Sequence, residues 1–165
     1  FGPEAWAANK EARMPRYYFD MEAARRYFEI GQTPYTPAVS LFYALDVALD
    51  ILLERGLEAI FSHHAMIGEM TRNGIKSLGL SLLSNEYHAS NAVTAVRVPE
   101  AIEGGSLVEK LRVNHGVVIA GGQGNLEGKI FRIGHLGDVA TSEIDEVLKA
   151  LRTTLADLGF YSPRH

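Results

Sequence analysis

The chain has 165 residues, 47% of them apolar, and a formal net charge of −4 at pH 7. This size suits one globular domain, or a domain with part of another. Interspersed charges argue against a nucleic-acid partner, and no apolar run approaches the roughly 20 residues that span a membrane. The chain has no cysteine, which excludes disulfides and cysteine metal sites and favours a reducing compartment such as the cytoplasm.

Helices dominate the first half of the chain. Short helices are predicted at residues 3–13 and 21–27, followed by a loop, GQTPYTP. Thr36 can cap a long helix over residues 37–55, and Gly56 suits its end. That helix is predicted from apolar residues at helical spacing: Ala38, Leu41, Phe42, Leu45, Leu49 and Leu52.

A second long helix is predicted over residues 57–77. Its expected buried stripe consists of Leu57, Ile60, Phe61, Ile67, Thr71 and Ile75.

The pattern changes after residue 80. Strands are predicted at LSLLS and AVTAVRV, then a helix at SLVEKLRVN, then strands at VVIAG and KIFRI. Thr141 or Ser142 can cap the last helix, whose stripe is Ile144, Val147, Leu148, Leu151, Leu155 and Leu158. This order predicts an α+β unit, a sheet with helices on one face.

The glycine cluster GGQGNLEGK fits neither common nucleotide motif. A phosphate-binding P-loop needs glycine where Gln123 stands and Ser or Thr where Ile130 stands, and a dinucleotide loop needs glycine at Glu127. Because the cluster lies between two predicted strands, we interpret it as a flexible connection.

Arg132 interrupts the apolar strand that follows. Side chains alternate along a strand, so Arg132 should point away from Phe131 and Ile133. Its planar fork can bind a carboxylate with two hydrogen bonds. The pattern alone favours a surface arginine with its stem on apolar residues, as it does for Arg97 in AVRVP.

The loop QTPYTP carries several hydrogen-bonding side chains before a long helix. Gln32, Thr33, Tyr35 and Thr36 could join the helix N-terminus in holding a phosphate. The pattern alone favours ordinary helix capping.

No metal site is predicted from the histidines. His63 and His64 are adjacent on a helix and cannot face one ion together, and His64 is expected to be a hydrogen-bonded core residue. His115 and His135 flank the glycine cluster without an acidic partner at ligand spacing.

Two stretches together, GQTPYTPAVSLFYALDVAL and GGQGNLEGKIFRIGHLGD, resemble the class V aminotransferases. These are pyridoxal phosphate enzymes of fold type I, and the likeness is nearest to the alanine–glyoxylate and serine–glyoxylate (serine–pyruvate) branch. The resemblance implies the C-terminal part of such an enzyme. Residues 1–36 would end the large cofactor-binding domain, 37–79 would form a linking helix and the helix after it, and 80–165 would form the small domain with a mainly antiparallel sheet.

The resemblance also implies roles for the candidate residues. Arg132 matches the arginine that binds the substrate's α-carboxylate, and Gln32 and Thr33, with Tyr35 and Thr36, match a loop that reaches the neighbouring subunit's cofactor phosphate. The Schiff-base lysine and the aspartate at the pyridine nitrogen would lie upstream. We therefore expect no catalytic residue within this chain, no activity by itself and no bound cofactor.

The implied protein is a homodimeric aminotransferase that passes the amino group of alanine or serine to glyoxylate or pyruvate. Two other hypotheses remain: a non-catalytic dimerisation or regulatory module, including a degenerate paralogue, and another reaction on the same scaffold, such as a lyase. Some sequences of this branch are labelled hydrogenase subunits, but this chain has no cysteine for nickel or iron–sulfur ligation.

Overall fold

A computed structural model describes residues 1–161 of the chain. The described residues divide into two compact units, residues 1–51 and residues 52–161, called here the N-terminal and C-terminal units. The domain boundaries at residues 36/37 and 79/80 that the family resemblance implies stay a prediction.

The N-terminal unit is helical, as predicted. It contains α1 (Pro3–Glu11), α2 (Met21–Glu29) and most of α3 (Val39–Arg55). α2 begins at a true side-chain cap, because the Asp20 carboxylate accepts hydrogen bonds from two backbone N–H groups of the first turn.

The predicted cap of α3 is wrong. The helix begins at Val39, and the carbonyl of Ala38 accepts its first hydrogen bonds, from the N–H groups of Leu41 and Phe42. Thr36 lies too far upstream to cap it. The N–H of Val39 instead donates to the Pro37 carbonyl in a tight turn, so Ala38 and not Thr36 stands directly before the helix.

The N-terminal unit has almost no interior. Asn9 is its one buried residue, and every residue of α3 is exposed. The apolar residues of α3, spaced as predicted, therefore form an uncovered surface on which Phe42 is 64% and Leu45 is 53% exposed.

The C-terminal unit is an α+β fold built on a three-stranded sheet. Its elements are α4 (Leu57–Ser77), β1 (Val93–Arg97), α5 (Gly104–His115), β2 (Ala120–Gly121), β3 (Ile130–Gly134) and α6 (Thr141–Asp157). The strand order is β1-β3-β2, and both pairings are antiparallel. This confirms the predicted fold class.

One predicted strand is wrong. LSLLS forms only an isolated bridge between Leu82 and Val96. Three residues later the Asn85 side chain accepts the N–H of Tyr87 and starts a short 3₁₀ turn. This local side-chain bond turns the chain away from the sheet.

One face of the sheet is buried under the three helices. Val96 of β1 and Phe131 of β3 are fully buried there. The helices fill the other side of the same core with residues that include Ile75 of α4, Leu107 and Leu111 of α5, and Leu151 and Leu155 of α6. The predicted placement of the helices on one face is therefore confirmed.

Two details of these helices differ from the prediction. Leu57 and Phe61 of α4 are 54% and 61% exposed, whereas the rest of the predicted stripe is buried. The N-cap of α6 is Ala140, whose N–H donates to the Glu143 carboxylate over 2.8 Å. A glutamate reaching back from the first turn thus caps the helix in place of Thr141 or Ser142.

We predict that Leu107→Ala lowers the free energy of unfolding by about 2–5 kcal/mol, because it leaves a cavity in this core. Val113→Ala on the same helix removes a side chain that is 73% exposed and should cost at most about 0.5 kcal/mol. Urea unfolding of the two variants measures the difference, and equal losses would contradict the core assignment.

Candidate functional site

Arg132 occupies the middle of the central strand. It pairs with Ala95 on β1 and with Ala120 on β2, so its neighbours on both sides are small. Phe131 and Ile133 are buried on the helix side. As predicted, Arg132 points to the opposite face of the sheet.

One hydrogen bond holds the guanidinium. The Nε–H of Arg132 donates to the backbone carbonyl of Gly121 over 3.1 Å. Among residues 1–161, no carboxylate or other acceptor pairs with Nη1 or Nη2. Both Nη groups of this half-buried side chain are therefore unpaired in the described chain, and two such N–H groups can donate in parallel to a carboxylate.

Arg97, the arginine on β1, is more exposed than Arg132. Arg97 is exposed at the end of β1, where it pairs with Ile130. It lies on the same sheet face as Arg132 but has no backbone contact that fixes its guanidinium within the described chain. Arg97 thus fits the surface-arginine interpretation, which the sequence pattern had favoured for both.

The glycine cluster forms the β2–β3 hairpin, as the strand-to-strand interpretation predicts. A 3₁₀ turn at Gly124–Leu126 reverses the chain. Gly124 and Gly128 adopt φ angles of +54° and +70°, which favour glycine.

The loop of residues 31–37 lines an open concavity in the N-terminal unit. Two of its predicted phosphate donors are already engaged within the unit. The Thr33 hydroxyl donates to the carbonyl of Tyr35 over 2.7 Å, and the Tyr35 hydroxyl donates to the carbonyl of Tyr17 over 2.9 Å. Desolvation and the nearby Tyr17 raise the pKa of Tyr35, so its phenol keeps this proton at neutral pH.

The remaining donors of the loop are free. The side chains of Gln32 and Thr36 are exposed. In the described part of the chain, the backbone N–H groups of Thr33, Tyr35 and Thr36 donate no hydrogen bond. These two side chains and three N–H groups could hold an anion with several oxygens, such as a phosphate. The loop belongs to the N-terminal unit and Arg132 to the C-terminal unit.

His135 is a buried polar residue whose role the sequence analysis missed. It is fully buried, and its Nδ1 lies 3.1 Å from the carbonyl of Asn91. That carbonyl can only accept, so Nδ1 carries the proton, and Nε2 accepts the hydroxyl of Thr94 over 2.9 Å. The sequence could have indicated this burial, because His135 continues the alternation of Phe131 and Ile133 and so falls on the core side.

Burial lowers the pKa of His135. Loss of water is the main cause; the bond to Asn91 opposes it, and the charge of Arg72 adds to it. The neutral imidazole ties the end of β3 to the start of β1.

Three further histidines, His63, His64 and His115, lie on α4 and α5. The Nδ1 atom of His64 is buried and has no hydrogen-bond partner among residues 1–161, so the predicted hydrogen-bonded core role is wrong. His63 Nε2 lies 2.8 Å from the carbonyl of Val139, and the exposed His115 ends α5. The described residues contain no group of three or more His, Asp or Glu placed to hold a metal ion.

Over the same described range, no helix is long and apolar enough to cross a bilayer. No protein-family model matches the chain.

Similar proteins cover nearly all of the chain. The small subunit of a soluble hydrogenase from a Synechococcus species is 40% identical over 158 residues, which are 96% of this chain and 41% of that protein. Serine–glyoxylate aminotransferase from Arabidopsis thaliana is 35% identical over 160 residues, 96% of this chain and 40% of its own length. The crystal structure of ureidoglycine–glyoxylate aminotransferase from Bacillus subtilis matches with a TM-score of 0.88 at 30% identity, covering 97% of this chain and 42% of that one.

Relatives that match nearly the whole chain are class V aminotransferases, and the chain fits the C-terminal part of an enzyme of that family. Its α+β fold is part of the fold type I architecture of these enzymes, and aminotransferases of this class use pyridoxal phosphate. The chain spans about two-fifths of the length of the relatives it matches.

We predict that the stability of this chain falls as the pH drops below about 6.5, the ordinary pKa of an unfolded histidine. His135 resists protonation in the folded state, so the unfolded state takes up the proton first and is favoured in acid. Urea midpoints from pH 8 to pH 5 should decline less steeply in His135→Gln than in the unaltered protein.

His115→Gln is the matched control, because His115 is exposed and should leave the decline unchanged. An equal pH dependence in the unaltered protein and in His135→Gln would contradict the assignment.

Proposed function

We propose that this chain is the C-terminal part of a pyridoxal-phosphate aminotransferase that moves the amino group of a small amino acid, alanine or serine, to glyoxylate or pyruvate. The observation that carries the proposal is Arg132, a fixed guanidinium with both Nη groups unpaired in the described chain. The similar enzymes that act with glyoxylate support the acceptor class.

Arg132 would bind the α-carboxylate that amino donors and 2-oxo acceptors share. Its position on the central strand is fixed by the buried Phe131 and Ile133, so the bound carboxylate would be fixed as well. The small side chains of Ala95 and Ala120 on either side leave room for a substrate. Holding the carboxylate orients the Cα–H bond for proton removal.

The loop of residues 31–37 would hold the cofactor phosphate of a neighbouring subunit. Gln32 and Thr36 would donate from their side chains, whereas Thr33 and Tyr35 would donate from their backbone N–H groups. The hydroxyls of Thr33 and Tyr35 instead donate to backbone carbonyls and hold the conformation of the loop. This division refines the family-based assignment, in which all four residues were phosphate donors.

Bound pyridoxal phosphate would accept the electrons released at the substrate's Cα. The lysine that binds the cofactor and moves the proton would come from a segment outside this chain. We therefore propose that the chain alone is inactive and does not hold the cofactor.

A homodimer is part of the proposal. The N-terminal unit exposes large apolar side chains that a monomeric soluble protein normally covers, among them Phe19 at 86% and Phe28 at 82% exposure. A cofactor loop that serves a neighbouring subunit also needs that subunit beside it.

This chain's own residues do not support the metal chemistry that the hydrogenase name of one relative suggests. The chain supplies no thiolate to an iron–sulfur cluster or to nickel, since it has no cysteine.

We predict that Arg132→Ala in the full-length enzyme raises the KM for amino donors by roughly two orders of magnitude or more, because two charge-assisted hydrogen bonds are lost. Arg97→Ala removes an exposed arginine from the same sheet face and should leave the KM nearly unchanged. Steady-state kinetics with alanine or serine and glyoxylate provide the measurement. An unchanged KM in Arg132→Ala would remove the assigned role.

We predict that the double variant Gln32→Ala/Thr36→Val weakens pyridoxal phosphate binding by roughly tenfold or more, because two donors to a charged phosphate are removed. Ser40→Ala, an exposed hydroxyl early in α3, serves as the control. Cofactor absorbance during titration of the full-length apoenzyme measures affinity. Equal affinities in both variants would count against the loop.

A further inference from the structure

We infer that the glycine-rich β2–β3 hairpin is a positioning device for Arg132, and that Gly121 and Gly122 orient its guanidinium for end-on binding of a carboxylate. The inference rests on the proposed function of Arg132 and assigns to the hairpin a part in substrate recognition.

The free edge of the guanidinium decides how Arg132 can bind a carboxylate. An arginine can grip a carboxylate side-on, through Nε and one Nη, or end-on, through Nη1 and Nη2. The carbonyl of Gly121 occupies the Nε–H of Arg132. Only the end-on edge remains, and no group within residues 1–161 occupies it.

The β2–β3 ladder fixes the Gly121 carbonyl. Gly121 pairs with Phe131 in the β2–β3 ladder, and Phe131 is fully buried. The N–H of Gly122 donates to the carbonyl of Ile130 over 3.0 Å and closes the ladder at the turn. The acceptor for Nε is therefore held by the same strand that carries Arg132.

Position 122 has room only for a glycine. A Cβ atom at this position would lie 1.9 Å from the backbone carbonyl oxygen of Leu126 and 3.0 Å from the Ile130 side chain. Backbone cannot yield as a flexible side chain can, so any larger residue must displace the end of β2. The Gly121 carbonyl would move with it and release Nε.

The outer side of the hairpin packs against the start of α5. A Cβ atom on Gly104, the first residue of α5, would lie 2.5 Å from the carbonyl oxygen of Gly128. The helix therefore packs directly against the hairpin backbone and limits its movement. Gly122 and Gly104 thus keep the hairpin backbone in place, and the Gly121 carbonyl orients Arg132 toward the carboxylate. None of the three contacts the substrate.

The test compares Gly122→Ala with Gly134→Ala in the full-length enzyme with pyridoxal phosphate. A Cβ atom on Gly134 makes only an ordinary 3.5 Å contact, with the Leu136 side chain. Gly122→Ala should raise the KM for alanine roughly tenfold to a hundredfold, with kcat within about twofold. Gly134→Ala should leave both constants near those of the unaltered enzyme.

A second substrate separates positioning from general damage. Ethylamine is alanine without its carboxylate, so its slow half-reaction, followed by cofactor absorbance, should be equal in Gly122→Ala and the unaltered enzyme. Equal loss with alanine and ethylamine would overturn the inference, as would an unchanged KM for alanine in a folded Gly122→Ala protein.

Two further measurements keep the outcomes distinct. If Arg132→Lys leaves the KM for alanine unchanged, the proposed carboxylate role itself fails. If it raises the KM while Gly122→Ala does not, only the hairpin role fails.

Should Gly122→Ala not fold, nitrogen-15 NMR of the unaltered enzyme tests whether the Gly121 carbonyl holds Nε. The Nε–H of Arg132 should exchange with water more slowly than that of the exposed Arg97, and equal exchange would refute the inference.

Discussion

The structure depends most on the alternation of β3 between core and open face. Phe131 and Ile133 are locked under the helices, so Arg132 between them must face the other way, next to two alanines. Hydrophobic burial on one side of the strand thereby sets the position of a charge on the other side. The hairpin carbonyl then fixes the guanidinium, and His135 secures the end of the same strand to β1.

Much of this could be predicted from the sequence, because periodicity is a local property. The bounds of α4 and the direction of Arg132 followed from side-chain spacing alone. The errors arose where local hydrogen bonds compete: Asn85 ends the strand-like LSLLS, Pro37 delays α3, and Glu143 caps α6 from inside its first turn. His135 was missed because the predicted strand KIFRI ends at Ile133, so the alternation of buried side chains was not extended two residues further.

The candidate site shows a second limit of sequence patterns. Four side chains of the loop looked equivalent as donors, yet two of their hydroxyls donate to nearby carbonyls. A sequence lists which groups can donate, but only coordinates show which protons are already in use. Likewise, the apolar spacing of α3 predicted a helix correctly but could not show that its apolar side chains are uncovered in this chain.

The most direct test of the central claim is a crystal structure of the full-length enzyme with pyridoxal phosphate and an unreactive carboxylate inhibitor. The account predicts both carboxylate oxygens at about 2.7–2.9 Å from Nη1 and Nη2 of Arg132, with Nε still on the carbonyl of Gly121. A carboxylate bound elsewhere, or bound through Nε after loss of the Gly121 contact, would contradict it.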